Sequence, residues 1–334
     1  MSRRRVLGRG CAKRDQPGPF LGLARHDGPN SHGANVNREC FVMGLGRHLR
    51  ALGFCLGVAL PGAVWADAAA PDGQINLQQA AAQITTLSDL LQLPAIFDVM
   101  RQEGISYGAG LENDMFPGEG GGPWAASVAM IYDAGRTKAL FDQAFAAALK
   151  DDPQSVAAGV AFFGSPLGQR VVGLEVSTRR AMLDDAAEET AVAAYDALKA
   201  QASPRIAALE QFAQANDLIN SNVMGALNSN LAFYQGMSED GGLDDGMTDQ
   251  DMIAQVWEQE EAVRSETADW LYPFMAMAYQ SLSDAEFAEY IAFSQTPAGK
   301  KLNAALFQAF EAVYKDVSKN LGLAVARQLQ GEDI

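Results

Sequence analysis

The sequence predicts an all-α protein made of two tandem, related helical units of amphipathic helices, with a helix-proline-helix corner in each. Three observations predict it. The phrase AFFGSPLGQRV at 161–171 returns 131 positions later as AFSQTPAGKKL at 292–302. Apolar residues recur at steps of three and four over long stretches, which marks one face of an α-helix. No run of strict alternation is long enough for a strand, and β-branched residues are sparse inside the periodic segments.

The chain begins with a different material. Residues 1–42 are rich in Arg, Gly and Pro and lack apolar periodicity, and Met43 stands directly before a signal-like stretch, so 1–42 is expected to be an untranslated or disordered extension. SRRRVL at 2–7 imitates a twin-arginine export signal, but no apolar run follows it until residue 51. Residues 43–66 read as a signal peptide: Arg47 and Arg50, an apolar run from Ala51 to Val64, then Val64-Trp65-Ala66 with cleavage after Ala66. The run is too short for a membrane span, which needs about 20 apolar residues, and no later stretch is long enough. The flanks of Cys55 are apolar rather than small, a poor setting for lipidation. A periplasmic or secreted location follows.

All three cysteines (Cys11, Cys40, Cys55) and all three histidines (His26, His32, His48) precede residue 67. Removing 1–66 leaves 15 basic and 38 acidic residues, a formal charge of −23. Such a chain is repelled by phosphate backbones and anionic head groups, because affinity for them comes from Lys and Arg displacing counterions. No nucleic acid is expected as a partner. A chain of this length buries about 70–75% of its unfolded surface and needs no disulfide staple.

The first unit is assigned to 67–202. FPGEGGGPW at 116–124 breaks it with a Gly- and Pro-rich loop, either core-forming or a lid that presents Met115, Phe116 and Trp124 to a ligand. The first corner follows. Asp152 is a good N-cap with Pro153 at the first helical position, and Val156, Gly159, Val160 and Phe163 share one face. Phe162-Phe163-Gly164-Ser165-Pro166-Leu167-Gly168 then ends one helix and opens the next. The residue before proline leaves the α region, so Ser165 caps, while Pro166 loses no needed hydrogen bond. Gly168, lacking a Cβ, lets the new helix start against the backbone that carries Phe162. From Pro166 a helix is expected to run toward Ala202.

The second unit is assigned to 203–334. Ser203-Pro204 opens a helix toward Tyr234, and an acidic loop spans 237–251. A capping box from Thr248 to Asp251 starts a helix through Ile253, Val256, Val263, Trp270, Leu271 and Phe274. At the second corner Ser283 and Glu286 form a capping box, and Phe287, Tyr290, Ile291 and Ser294 match the face of the first copy. Phe293, Thr296, Pro297 and Gly299 repeat Phe162, Ser165, Pro166 and Gly168. Leu302, Leu306, Phe310, Val313, Val317 and Leu321 then step along more than five helical turns.

LSDAEFAEYIAFSQTPAGKKL at 282–302 resembles the signature of a family of exported bacterial proteins known as domain of unknown function 2059. Ser283, Glu286, Phe287, Ile291, Phe293, Thr296, Pro297, Gly299, Lys300 and Lys301 match its pattern, whereas Ser294 stands where the family has an aromatic. Asp152, Phe162, Phe163, Ser165, Pro166, Gly168, Gln169 and Arg170 carry a fainter copy. The resemblance implies a fold and a compartment; the family carries no established activity to transfer.

Beyond residue 66 the absence of histidine and cysteine excludes the usual triads, Cys nucleophiles and His- or Cys-ligated metal sites. GAGLEN at 108–113 lacks the third glycine of a dinucleotide fingerprint. No catalytic, cofactor-binding or metal-binding residue is assigned. A carboxylate-dependent hydrolase acting on envelope glycan stays open through Glu258, Glu260 and Glu261, or Glu188 and Glu189, against the plainer expectation of a solvated acidic face. EDGGLDDGMTDQD at 239–251 is oxygen-rich, which admits weak calcium binding. It does not fit the twelve-residue calcium loop, since Gly246 at position six places Gly241 and Leu243 at ligand positions, so a solvated linker is expected instead. The expected role is a non-catalytic binding or envelope-maintenance module, with a small apolar ligand or an envelope protein as partner and grooves between helices as its surface.

Overall fold

The computed structural model describes residues 77–243 and 247–331, and every regular element there is an α-helix. Residues 1–42 and 43–66, expected to be an extension and a signal peptide, lie outside the described residues, and all cysteines and histidines fall within them. Helix α1 (Leu77–Leu90) leads through a left-handed Gln92 (φ 52°) into α2 (Leu93–Met115), which carries Pro94 in its first turn. Then follow α3 (Gly121–Ile131), α4 (Ala134–Leu149), α5 (Pro153–Phe163), α6 (Pro166–Ala181) and α7 (Asp185–Ala200). Ala202 is left-handed (φ 48°), and Ser203 caps α8 (Pro204–Ala215). A left-handed Asp217 (φ 49°) leads into α9 (Leu218–Glu239), followed by α10 (Asp249–Trp257), α11 (Glu260–Ala278), α12 (Asp284–Gln295) and α13 (Pro297–Gln330).

The two corners are closed by the same bonds. Ser165 and Thr296 each donate their backbone N–H to the Phe162 or Phe293 carbonyl at 2.8 Å. Their hydroxyls accept the Gly168 and Gly299 N–H groups at 3.0 and 2.9 Å. A Cβ on Gly168 would stand 2.2 Å from the Phe162 oxygen, and one on Gly299 would stand 2.0 Å from the Phe293 oxygen. Glycine is required there by the closeness of the preceding helix, not by its own dihedrals.

The corners also meet each other. The Phe162 and Phe293 rings stack at 5.1 Å. Arg170, just past the first corner, pairs with Glu286 in the capping box of α12 and donates to the Ser281 carbonyl at 2.6 Å. Lys301 holds the matching place past the second corner. Hydrogen bonds from Ser155 hold the Asp152 carboxyl below its usual range, and the Lys301 charge adds to that effect.

Three long helices expected from the sequence are broken. The helix after Pro166 stops at Ala181, and α7 begins at Asp185 after Asp184 accepts the Ala186 N–H at 2.9 Å. The charge order Arg179-Arg180 before Asp184-Asp185 suits the end of one helix dipole and the start of another. The helix from Pro204 breaks at Asn216-Asp217. The helix from Thr248 breaks at Glu258-Gln259, where α11 begins anew. The acidic loop is shorter than 237–251, because α9 runs to Glu239 and α10 starts at Asp249. Residues 244–246 lie outside the described residues.

Helices α9 and α13 run side by side in the same direction. Asn303 donates to the Asn216 carbonyl at 2.7 Å, Asn228 to Glu311 at 2.8 Å, and Lys319 pairs with Glu239 at 2.8 Å. A Cβ on Gly236 would lie 2.1 Å from the Lys319 oxygen, so the backbones touch. Beyond this pairing, α13 also packs along α4, where Phe141 and Phe310 approach to 4.7 Å and Arg136 pairs with Asp316. Conversely α7 packs along α11, with Tyr195 and Tyr272 stacked at 5.7 Å. The segments assigned to two units, 67–202 and 203–334, pack against each other through these helices, and the described residues share one compact unit.

Candidate functional site

The carboxylates proposed from sequence do not form a recessed pair. Glu258, Glu261 and Glu189 are exposed, and Glu260 is engaged by Arg264 at 2.7 Å. In the acidic loop Glu239 pairs with Lys319, Asp240 accepts from Arg327 at 2.7 Å, and Asp251 closes the Thr248 capping box. Those acids serve pairing and capping. Trp124 lies in α3, 1% exposed, and its indole N–H donates to the Gly108 carbonyl at 2.8 Å. The Phe116 ring meets it edge-on at 4.9 Å. Of the two outcomes weighed for 116–124, Phe116 and Trp124 take core packing rather than a lid, because the indole fills the space beside α2 and satisfies its only donor.

The motif residues lie together at the junction of the two corners, and one difference between the two corner phrases has a physical cause. Ser294, fully buried where the first copy has Phe163, accepts a hydrogen bond from the Asn216 amide at 2.8 Å. An aromatic there would occupy the amide's space. In the first copy Gln169 makes the corresponding tie, donating to the Leu90 and Phe163 carbonyls at 2.9 and 2.6 Å.

A polar cluster under the corners escaped sequence reasoning. Helix α6 turns Val171, Val172, Val176, Glu175 and Arg179 inward. Glu175 is 2% exposed; its Oε1 accepts from the Tyr279 hydroxyl at 2.7 Å and from the Tyr290 hydroxyl. Its Oε2 is buried without a hydrogen-bond partner. Burial pushes the Glu175 carboxyl up to about 8 although both phenols pull it down. One turn on, Arg179 forms a two-pronged pair with Glu103 of α2, at 2.8 and 3.1 Å, and reaches the Tyr314 hydroxyl of α13 at 3.4 Å. Burial opposes the Arg179 charge, but Glu103 and Tyr314 outweigh it and raise the group further. The available signal was an acid and a base at i and i+4 on an otherwise apolar face.

Open grooves among the described residues include one between α8 and α12 and one between α9 and α13. The first holds about 310 Å³, with Ala208, Ala288, Ile291 and Ala292 as an apolar floor. Arg205 and Asp284, paired at 3.1 Å, stand at one end, and Gln211 and Gln295 also line it. The other, of about 320 Å³ between α9 and α13, has Met224, Ala304 and Phe307 beside Asp217, Asn220 and Glu311. Glu175 lines neither groove, so its acid has no substrate to meet there. Among the described residues no group of acids is placed to hold a metal ion, and no helix is long and apolar enough to cross a membrane. No family model matches the chain, and comparison with curated proteins and with solved structures found no match.

Proposed function

We propose that this chain is an exported helical binding module of the bacterial envelope, without catalytic chemistry, which takes an apolar ligand in the groove between α8 and α12. The groove itself carries the proposal. Its floor is apolar and its ends are polar, the arrangement that binds an acyl chain or an apolar peptide side chain and fixes its orientation. Its volume sits at the lower end of the range for small-molecule sites, about 300–1,000 Å³. Export rests on residues 43–66, and kinship with the family of unknown function rests on 282–302.

The proposal includes an internal duplication. Six helices follow one another in the same order from α1 to α6 and from α8 to α13. A left-handed residue precedes the second helix of each series, Gln92 and Asp217, and the corners share their bonds. Each half lends its last helix to the other, α7 to α11 and α13 to α4.

A thermal-shift series on the full chain tests the ligand assignment. Fatty acids, lipids and envelope peptides are added singly, and a ligand that binds the folded state raises the melting temperature. The expected result is a rise in the native protein that disappears in Ala288→Trp, where the indole fills the groove from an exposed position. A rise that survives Ala288→Trp, or no rise with any compound, overturns the groove assignment.

A further inference from the structure

Glu175 is the only buried carboxylic acid among the described residues. From the residue that closes α11 it meets the Tyr279 phenol, and from α12 the Tyr290 phenol, both on Oε1. The base on its own helix, Arg179, gives donors to Glu103 of α2 and Tyr314 of α13. Of the other charged groups on α12, Glu286 pairs with Arg170 and Asp284 with Arg205, and Glu289 is half-buried; on α11 Glu260 pairs with Arg264, Glu261 and Asp269 are exposed, and Glu266 is half-buried. Helix α5, which also packs on α6, carries no titratable side chain. Oε2 completes the picture as a buried oxygen without a hydrogen-bond partner.

A carboxylate in that place would be dehydrated, with one bare oxygen and no cation paired to it. A neutral acid loses far less on burial. We propose that Glu175 is a proton-binding site that fastens α6 to α11 and α12. With the proton in place the acid and the two phenols form a neutral cluster; losing it as pH rises puts an unpaired charge in the core and loosens the junction beneath the corners. The proposal stands whether or not the α8–α12 groove binds a ligand.

The direction of the pH effect follows from burial. The folded protein holds this proton up to about pH 8, whereas the unfolded chain releases it near the ordinary value of 4.5. The contribution is fully present below the unfolded value. It falls by up to about tenfold in the folding equilibrium per pH unit until the folded value is reached, and then levels off. No histidine lies among the described residues to produce a similar fall.

Urea unfolding of the full chain at pH steps from 5 to 9 tests this, with Glu175→Gln measured in parallel so that histidines of the leader cancel. The expected result is that native stability relative to Glu175→Gln falls steadily from pH 5 to about 8. Parallel profiles overturn the proposal. If Glu175→Gln does not fold, Tyr290→Phe decides: removing a bond that favours the anion is expected to move the upper end of the fall to higher pH. A loss of stability uniform across the pH range, as from packing alone, overturns the proposal equally.

Discussion

At the scale of single residues, three kinds of contact do most to define this molecule. The corner glycines sit where any Cβ would enter the carbonyl of the preceding helix. Gly299→Ala is expected to cost about 3 kcal/mol through overpacking, and Gly168→Ala a similar amount, both readable as lowered urea midpoints with unchanged slope. The Glu103–Arg179 pair has a different logic. Glu103→Ala leaves a guanidinium buried beside Tyr314, and unfolding measurements are expected to show a loss of about 3–5 kcal/mol. Replacing both partners by apolar residues is expected to cost much less, since no charge is then left alone. Glu175 is the third kind, a polar group tolerated in the core because it can shed its charge.

At the scale of elements, helix beginnings were the most legible feature of the sequence. Asp152, Ser165, Ser203, Thr248, Ser283 and Thr296 each accept the backbone bond their positions implied, because a cap depends on three or four consecutive residues. Ser165→Ala and Thr296→Ala are each expected to lower stability by about 1 kcal/mol. Asp152, Asp251 and Glu286 have carboxyls held below their ordinary range, chiefly by hydrogen bonds from Ser155, Thr248 and Ser283. For such depressed groups the stabilisation is present above the unfolded value and is lost as pH falls through the folded one. Melting temperature should therefore drop below about pH 4, and the drop should be smaller in Glu286→Gln. Helix ends were less legible. Apolar periodicity continues across Met182–Asp184 and across Asn216-Asp217, so spacing alone ran helices together that the chain interrupts.

At the scale of the whole molecule, the reciprocal packing decides cooperativity. Helix α7 covers α11, and α13 covers α4, so neither 67–202 nor 203–334 keeps its own core covered when alone. Fragments divided between Ala202 and Ser203 are expected to be expanded and poorly helical separately, and to recover native helicity when co-expressed, as followed by circular dichroism and gel filtration. Two fragments that each fold fully would contradict the exchange of helices.

The sequence by itself determined the helical class, the starts of the helices after the corners and the need for glycine at 168 and 299. Each depends on neighbours within a few positions, where backbone sterics and capping act. The same short range let Ser294 be noticed as a departure, but Asn216, the partner that explains it, lies 78 positions away in the chain. Only the tertiary structure decided that the two corners stack on each other, that their trailing helices cross to opposite halves, and that Glu175 meets two tyrosines more than 100 positions distant. These are contacts between distant segments, and burial of a charge is a property of everything packed around it. An acid and a base one turn apart on an apolar helical face announce that their charges must be met in the core, but which groups meet each of them is settled when the helices close over them.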